Sequence, residues 1–192
     1  MGNPFLQERV PHTLPKEPLP CGASYWMADT SRADFRVGIG FDSHPLTPGR
    51  PLVLGGVTIP YHLGLAGHSD GDVLVHAMMD ALLGAAGLGD KGVHFPSDDP
   101  QYKDISSLLL LARVAELLAA NRWRISNVDA TMLAQKPRLG PFIATMRERS
   151  GAALSIPLER VSIKATTTDY LGFVGREEGI AACAVASLMA GP

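Results

Sequence analysis

Cysteine is almost missing from this chain: 192 residues carry two, Cys21 and Cys183. That excludes a disulfide framework and a cysteine-built zinc ribbon, and it makes a reducing, cytoplasmic setting the expectation. Cys183 lies in an apolar run and reads as a small core residue. No apolar run approaches the roughly 18 residues that a bilayer span requires. Neither sign of charge dominates, since the formal net charge is -2; nothing marks a nucleic-acid or anionic-membrane surface. Internal repeats and low-complexity arrays are absent as well. What remains, at 46% hydrophobic and 19% charged residues, is the composition of a soluble globular protein with the length of one domain.

The first 34 residues differ from the rest. "NPFLQERVPHTLPKEPLPCG" is rich in proline and follows neither a helical nor a strand period. Residues 1–34 are expected to be a flexible N-terminal tail ahead of a domain over 35–190. The tail makes a poor signal or transit peptide, and Leu6 stands where a myristoylation motif wants Ser or Thr. Met27 offers an alternative start.

From there the pattern alternates between strand and helix. "FRVGIGFDSH" (35–44) reads as a strand, and "PLVLGGVTIP" (51–60) as a second strand with a glycine-marked bend. A helix is expected from Ser69 or Asp70, with Ser69 and Asp72 as a capping box and Gly87 and Gly89 at its end. Further helices are expected within 104–122 and 138–154, the latter with Pro141 in its first turn. Strands are expected at 124–135, 159–169 and 179–190. The order ββ-α-α-β-α-β-β predicts an α/β (α+β) sandwich: a mixed four- or five-stranded sheet with helices packed on one face.

Chemistry collects at the first strand's end. In "GIGFDSHPL" Asp42 and His44 are two apart and share a face of the strand. His76 interrupts the apolar face of the helix that follows. An isolated Asp-x-His is usually a turn, and an isolated helix histidine usually a hydrogen-bonded core residue. Together, two imidazoles and a carboxylate make a three-ligand zinc site with an open fourth position, the catalytic arrangement. "HSDGD" (68–72) opens that helix, and a helix N-terminus favours anions. His68 could donate to a phosphate there. Asp70 and Asp72 could cap the helix, bind hydroxyls, or orient a metal-bound histidine. "KATTTD" (164–169) is either an edge strand or a set of phosphate donors, with Asp169 able to hold a hard divalent ion. "AQKPRLGP" (134–141) is a turn rich in backbone donors, and could line a base or phosphate pocket.

Taken in order, "RVGIGFDSH", "LGGVTIPY", "GLAGHSDGDVLVHAMMDALLGAAGLGD", "NVDATMLAQKPRLGP" and "KATTTDYLGFVGREEGIAACAVA" resemble the 2-C-methyl-D-erythritol 2,4-cyclodiphosphate synthases of the non-mevalonate isoprenoid pathway. The resemblance runs from about Phe35 to Met189. It implies a homotrimer with active sites at subunit interfaces. It also implies conversion of 4-diphosphocytidyl-2-C-methyl-D-erythritol 2-phosphate to the cyclic diphosphate with release of CMP. The family pattern puts zinc on Asp42, His44 and His76, and a second ion, Mg²⁺ or Mn²⁺, on Asp169. It puts transition-state stabilisation on His68 and Thr167. The methylerythritol pocket would take His68, Ser69, Asp90 to Gly92, and Phe95 to Asp99, including Ser97 and Asp98. The cytidine pocket would take Ala134, Gln135, Lys136, Pro137, Arg138, Leu139 and Gly140, then Thr166, Thr167, Thr168 and Asp169. Phe173 and Arg176 match further contact positions, Arg176 near the trimer's central channel.

Two departures stand out. Asp169 often is Glu in the family, so its shorter arm sets the second ion closer or requires a bridging water. "FPSDDP" replaces the common "FPDTDP", which puts Ser97 where an acid contacts the sugar. Competing readings of the same ligands are a metal-dependent phosphohydrolase of nucleotide diphosphates and a trimeric binding protein without turnover.

Overall fold

Alternation in FRVGIGFDSHPLT produces one long strand, β1 (Phe35–Thr47), at the start of the described part of the chain. The computed structural model describes residues 35–191; the readings made for the tail and for Met27 lie outside them. Phe35, Val37, Ile39 and Phe41 face outward and are exposed. Gly38, Gly40, Asp42 and His44 occupy the alternate positions, on the opposite face.

β1 pairs antiparallel with β7 (Gly179–Ala190), and β7 pairs antiparallel with β5 (Trp123–Leu133). β5 then pairs in parallel with β6 (Val161–Thr166), while the short β4 (Gly64–Leu65) lies along the other side of β1. The result is a mixed five-stranded sheet of order β4-β1-β7-β5-β6, as the element pattern predicts. The last element, GIAACAVASLMA, is the strand its length and apolar run indicate.

Three full-length helices cover one side. α1 (Val73–Ala86) packs on β1, β7 and β5; α3 (Ser107–Ala120) packs on α1 and β5; α4 (Ile143–Leu154) packs on α3 and β6. The core between them is filled by Leu74, Met78, Leu82, Leu111, Val114, Met132 and Ala184, all within 1% of full burial. α2 (Lys91–His94) and α5 (Gly172–Gly175) are single turns. No helix among the described residues is long and apolar enough to cross a membrane.

The approach of α1 to β1 is unusually close. A Cβ at Gly38 would lie 2.1 Å from the Ala81 carbonyl oxygen, and one at Gly40 would lie 2.0 Å from that of Ala77. Glycine on the strand facing alanine on the helix lets the two backbones touch. This seam carries His76 to the end of β1.

Some boundaries differ from the sequence expectation. PLVLGGVTIP is not one bent strand but a hairpin, β2 (Leu52–Leu54) and β3 (Val57–Ile59), forming a separate two-stranded sheet. Gly55 and Gly56 both have positive φ, 57° and 70°, which fits a two-residue turn of type I′. α1 begins at Val73 rather than at Ser69 or Asp70. Gly71 at φ 75° breaks the helical path, so Asp72 is the cap and its carboxylate accepts from Val75 N–H. Asp104, at φ 54°, delays α3 to Ser107. Pro141 belongs to a 3₁₀ turn, Gly140–Phe142, that precedes α4. β6 stops at Thr166, because the chain turns over Asp169 and Tyr170, both of positive φ.

Candidate metal centre and active-site pocket

Asp42 and His44 reach the site from the C-terminal part of β1, and His76 from the first turn of α1. Asp42 Oδ2 lies 2.9 Å from His44 Nε2 and 2.9 Å from His76 Nδ1, and the two ring nitrogens are 3.1 Å apart. Among the described residues this is the group of three or more potential ligand side chains that converges on one point. Tetrahedral ligands held 2.0–2.1 Å from a zinc-sized ion stand about 3.3 Å from one another. The observed triangle matches that within a few tenths of an ångström, so the donor set and its spacing fit a small divalent metal.

The electrostatics match the geometry. Burial opposes ionisation of Asp42, but hydrogen bonds from His44 and His76 and the Lys91 ammonium overcome it. They hold the carboxyl far below the usual carboxylate range. Lys91 Nζ stands 3.3 Å from Asp42 Oδ1, the oxygen that the imidazoles leave free, and 3.3 Å from Asp80 Oδ2. Asp80 also accepts the Lys91 backbone N–H at 2.7 Å, fixing the start of α2.

Behind His76 lies a buried polar network. His76 Nε2 is 3.0 Å from Ser107 Oγ and 3.1 Å from Ser69 Oγ. Ser107 donates its hydroxyl to Asp70 Oδ1 at 2.5 Å and its backbone N–H to Asp70 Oδ2 at 2.9 Å. Arg50 clamps the same loop by donating to the carbonyls of Gly67 and Ser69. Of the two acids in HSDGD, Asp70 thus connects to the histidine. Asp72, fully buried, accepts from Val75 N–H at 3.1 Å and from Gly56 N–H at 2.7 Å, tying the β2–β3 hairpin to α1. Burial first, and Asp70 second, push the Asp72 carboxyl up to about 6.

The trio opens on a cavity of about 380 Å³, within the usual range for a small-molecule site. His44, His68, Ser69, His76, Asp90, Gly92, Phe95 and Ser97 line it, together with Asp80 and Lys91. Of the residues expected around a sugar, His68, Ser69, Asp90, Lys91, Gly92, Phe95 and Ser97 line this cavity. Asp98 and Asp99 are outside the lining; Asp99 caps the turn at 100–102, and its carbonyl holds His68 Nε2 at 3.0 Å. Ser97 faces the cavity without Asp98 beside it.

The second expected group lies elsewhere on the surface. β1 and β5 run in the same direction, and both Ser43 and Leu133 pair with Ala181, so their ends share one end of the sheet. They are about two strand spacings, roughly 10 Å, apart. Residues Ala134 to Gly140 follow β5, and Thr166 to Asp169 follow β6. The two stretches meet through Ala134 N–H to the Thr166 carbonyl at 3.0 Å and Tyr170 N–H to Gln135 Oε1 at 3.2 Å. Neither stretch lines the cavity on the trio. Thr167 Oγ1 donates to Asp169 Oδ1 at 3.3 Å, and Lys136 pairs with Glu177 at 2.9 Å. Phe173 borders a separate hollow on the other side of His44, and Arg176 pairs with Glu178.

Ser107, Asp80 and Arg50 were not picked out by sequence reasoning. Their partners are 11 to 37 residues away, beyond the reach of local patterns.

Residues 35–189 match the YgbB family model. A 2-C-methyl-D-erythritol 2,4-cyclodiphosphate synthase of Moorella thermoacetica is 60% identical over 154 residues, covering 80% of this chain and 94% of its own. The synthase of Symbiobacterium thermophilum is 61% identical over 155 residues, covering 81% and 98%. Among solved structures, the IspF of Plasmodium falciparum in complex with CDP matches with a TM-score of 0.73 at 29% identity, covering 84% of this chain and 100% of its own. The bifunctional IspDF of Campylobacter jejuni matches with a TM-score of 0.80 at 40% identity; the match takes in 83% of this chain, which spans 43% of that longer protein. On the family model and these relatives, the chain belongs to the YgbB family, that of the 2-C-methyl-D-erythritol 2,4-cyclodiphosphate synthases.

Proposed function

We propose that this protein converts 4-diphosphocytidyl-2-C-methyl-D-erythritol 2-phosphate to 2-C-methyl-D-erythritol 2,4-cyclodiphosphate and releases CMP, a step of isoprenoid precursor synthesis in the cytoplasm. The observation that carries this reading is the convergence of Asp42, His44 and His76, with the two histidines on the wall of a sugar-sized cavity. In the reaction an oxygen of the substrate's 2-phosphate bonds to the β-phosphorus. The bond from that phosphorus to the oxygen shared with the α-phosphate breaks, and CMP leaves with its electron pair. The nucleophile belongs to the substrate, so no covalent enzyme intermediate is required.

Asp42, His44 and His76 would hold Zn²⁺, and Asp169 would hold Mg²⁺ or Mn²⁺. Such ions supply concentrated positive charge where phosphate oxygens crowd together. The protein's own groups align and neutralise. His68, fixed through the Asp99 carbonyl, and Ser69 face the cavity, where they would meet phosphate oxygens. Lys91 adds an ammonium to the same wall. Asp90 commits Oδ1 to Val93 N–H and leaves its other oxygen for a sugar hydroxyl. Thr167 donates where charge grows on the five-coordinate phosphorus.

The functional unit in this reading is a homotrimer. Phe35, Val37, Ile39, Phe41 and Val185 leave an exposed apolar face on the sheet, opposite the helices. The cytidine-side residues Ala134 to Gly140 and Thr166 to Asp169 reach the cavity from a neighbouring copy. That accounts for their absence from the cavity of their own chain.

Phosphorus NMR of the protein with the cytidyl substrate and Mg²⁺, alongside zinc quantification, tests the reading. Coupled resonances of a cyclic diphosphate, CMP, and about one zinc per chain are the expected result. Linear phosphate products carrying solvent oxygen would instead make it a hydrolase. Bound zinc without turnover would make it a binding protein.

A further inference from the structure

We propose that Ser107 and Asp70 are positioning residues for the metal ligand His76, holding its ring so that Nδ1 points at the ligand triangle when a metal binds. The inference rests on the reading of Asp42, His44 and His76 as a metal site. It follows from counting protons along the buried chain. Ionised Asp70 can only accept, and it accepts both the hydroxyl and the backbone N–H of Ser107. The single hydroxyl proton of Ser107 is then spent on Asp70, so towards His76 Nε2, 3.0 Å away, Ser107 Oγ can only accept. With a metal on Nδ1, Nε2 would carry the imidazole proton and donate it to Ser107 Oγ, and Nδ1 already points at the position shared with His44 Nε2 and Asp42 Oδ2.

The arrangement is a carboxylate–hydroxyl–imidazole chain ending at the metal position. It is the familiar carboxylate–histidine–metal relay with one hydroxyl inserted. Ser107 is fully buried and His76 is 6% exposed, so water does not compete for these contacts. Ser107 opens α3 and Asp70 lies in the loop before α1, so the chain also makes the ligand's orientation depend on how the two helices dock. Ser69 Oγ, 3.1 Å from the same Nε2, lines the cavity. With Ser107 accepting from Nε2 in the metal-bound state, the Ser69 hydroxyl proton would be free to point at a substrate. His44 has no equivalent chain among the described contacts.

The test compares the wild type with Ser107→Ala, Ser107→Thr and Asp70→Asn. Zinc affinity is measured by competition with a chelator, the cobalt-substituted absorption spectrum is recorded, and the His76 ring nitrogens are read by ¹⁵N NMR of the zinc-bound protein. Zinc-bound wild type should show Nε2 protonated and hydrogen-bonded. Ser107→Ala and Asp70→Asn should lose about 10- to 100-fold in zinc affinity and change the cobalt spectrum, the range seen when such outer partners are removed. Ser107→Thr, which keeps the hydroxyl, should restore both. Melting in chelator separates positioning from folding, since a purely structural role would lower the metal-free melting temperature without a change in the cobalt spectrum. Wild-type zinc affinity and cobalt spectrum in both Ser107→Ala and Asp70→Asn would overturn the proposal. A wild-type protein that binds no zinc would overturn the metal reading instead.

Discussion

Gly40→Ala is the sharpest probe of how this fold builds its metal centre. The new Cβ would start 2.0 Å from the Ala77 carbonyl oxygen and 2.6 Å from the Ala81 nitrogen, both backbone atoms. Ordinary contact for such atoms begins near 3.4 Å, so α1 must retreat by about 1.4 Å or β1 must bow away. Neither partner is the end of a flexible side chain, so the strain cannot be absorbed by a rotamer change. Overpacking of this kind costs about 3 kcal/mol, the upper end of its usual range. For a chain of this size that lowers Tm by roughly 6–12 °C. The same displacement moves His76 away from Asp42 and His44, one residue position along on α1 and two and four positions along on β1. A shift above 1 Å far exceeds the roughly 0.2 Å tolerance of a metal–ligand bond. Thermal unfolding with and without zinc, plus chelator competition, measures both effects. The variant should melt lower and gain less from zinc than the wild type does. A variant that melts lower yet binds zinc with wild-type affinity would show that the glycine–alanine seam sets stability but not the ligand triangle. That would refute the reasoning.

Other expectations follow from separate parts of the molecule. The Asp72 carboxyl is raised from 3.8 to about 6, so between those values the folded state keeps a proton that the unfolded chain releases. Its contribution is full below about pH 4 and is lost as pH rises through 6, about 3 kcal/mol in all. Denaturant titrations of metal-free wild type and Asp72→Asn across pH 4–7 should therefore show the wild-type advantage shrinking by that order as pH rises; a pH-independent difference would contradict it. Ile39→Lys places a charge in the middle of the apolar outer face, where Ile39 is 71% exposed, and should convert the proposed trimer to monomers in sedimentation velocity. Persistence of a trimer would move the interface elsewhere. Lys91→Met removes the cation that shares Asp42 with the metal, so zinc affinity should rise several-fold in chelator competition. A fall would mean that Lys91 acts by orienting the carboxylate.

Much of the site was legible because its chemistry is written in local order. Asp42 and His44 are two apart on a strand, so alternation alone puts them on one face, and the three ligands named from residue chemistry do meet. The sheet was legible for the same reason: the apolar runs at 35–44, 124–135 and 179–190 each became a strand. Failures came where a backbone torsion, not a side chain, decided the outcome. Ser69 and Asp72 satisfy the capping-box spacing, yet Gly71 at positive φ moves the cap to Asp72. In LGGV the paired glycines make a reversal, not a bend, and two strands leave the main sheet. Ser107 was invisible as a partner of His76, because 31 residues and a short helix separate them. The cytidine-side residues were legible only through family resemblance. Within one chain they sit about two strands from the cavity that they would complete.

Lys91 gives the centre a counter-ion of its own. Asp42 faces an ammonium at 3.3 Å on one oxygen and two imidazoles on the other, so a departing metal would not leave the carboxylate bare. Arrival of a metal would then be an exchange of partners around a standing carboxylate. Metal loss should then be reversible on simple re-addition, with no refolding step between.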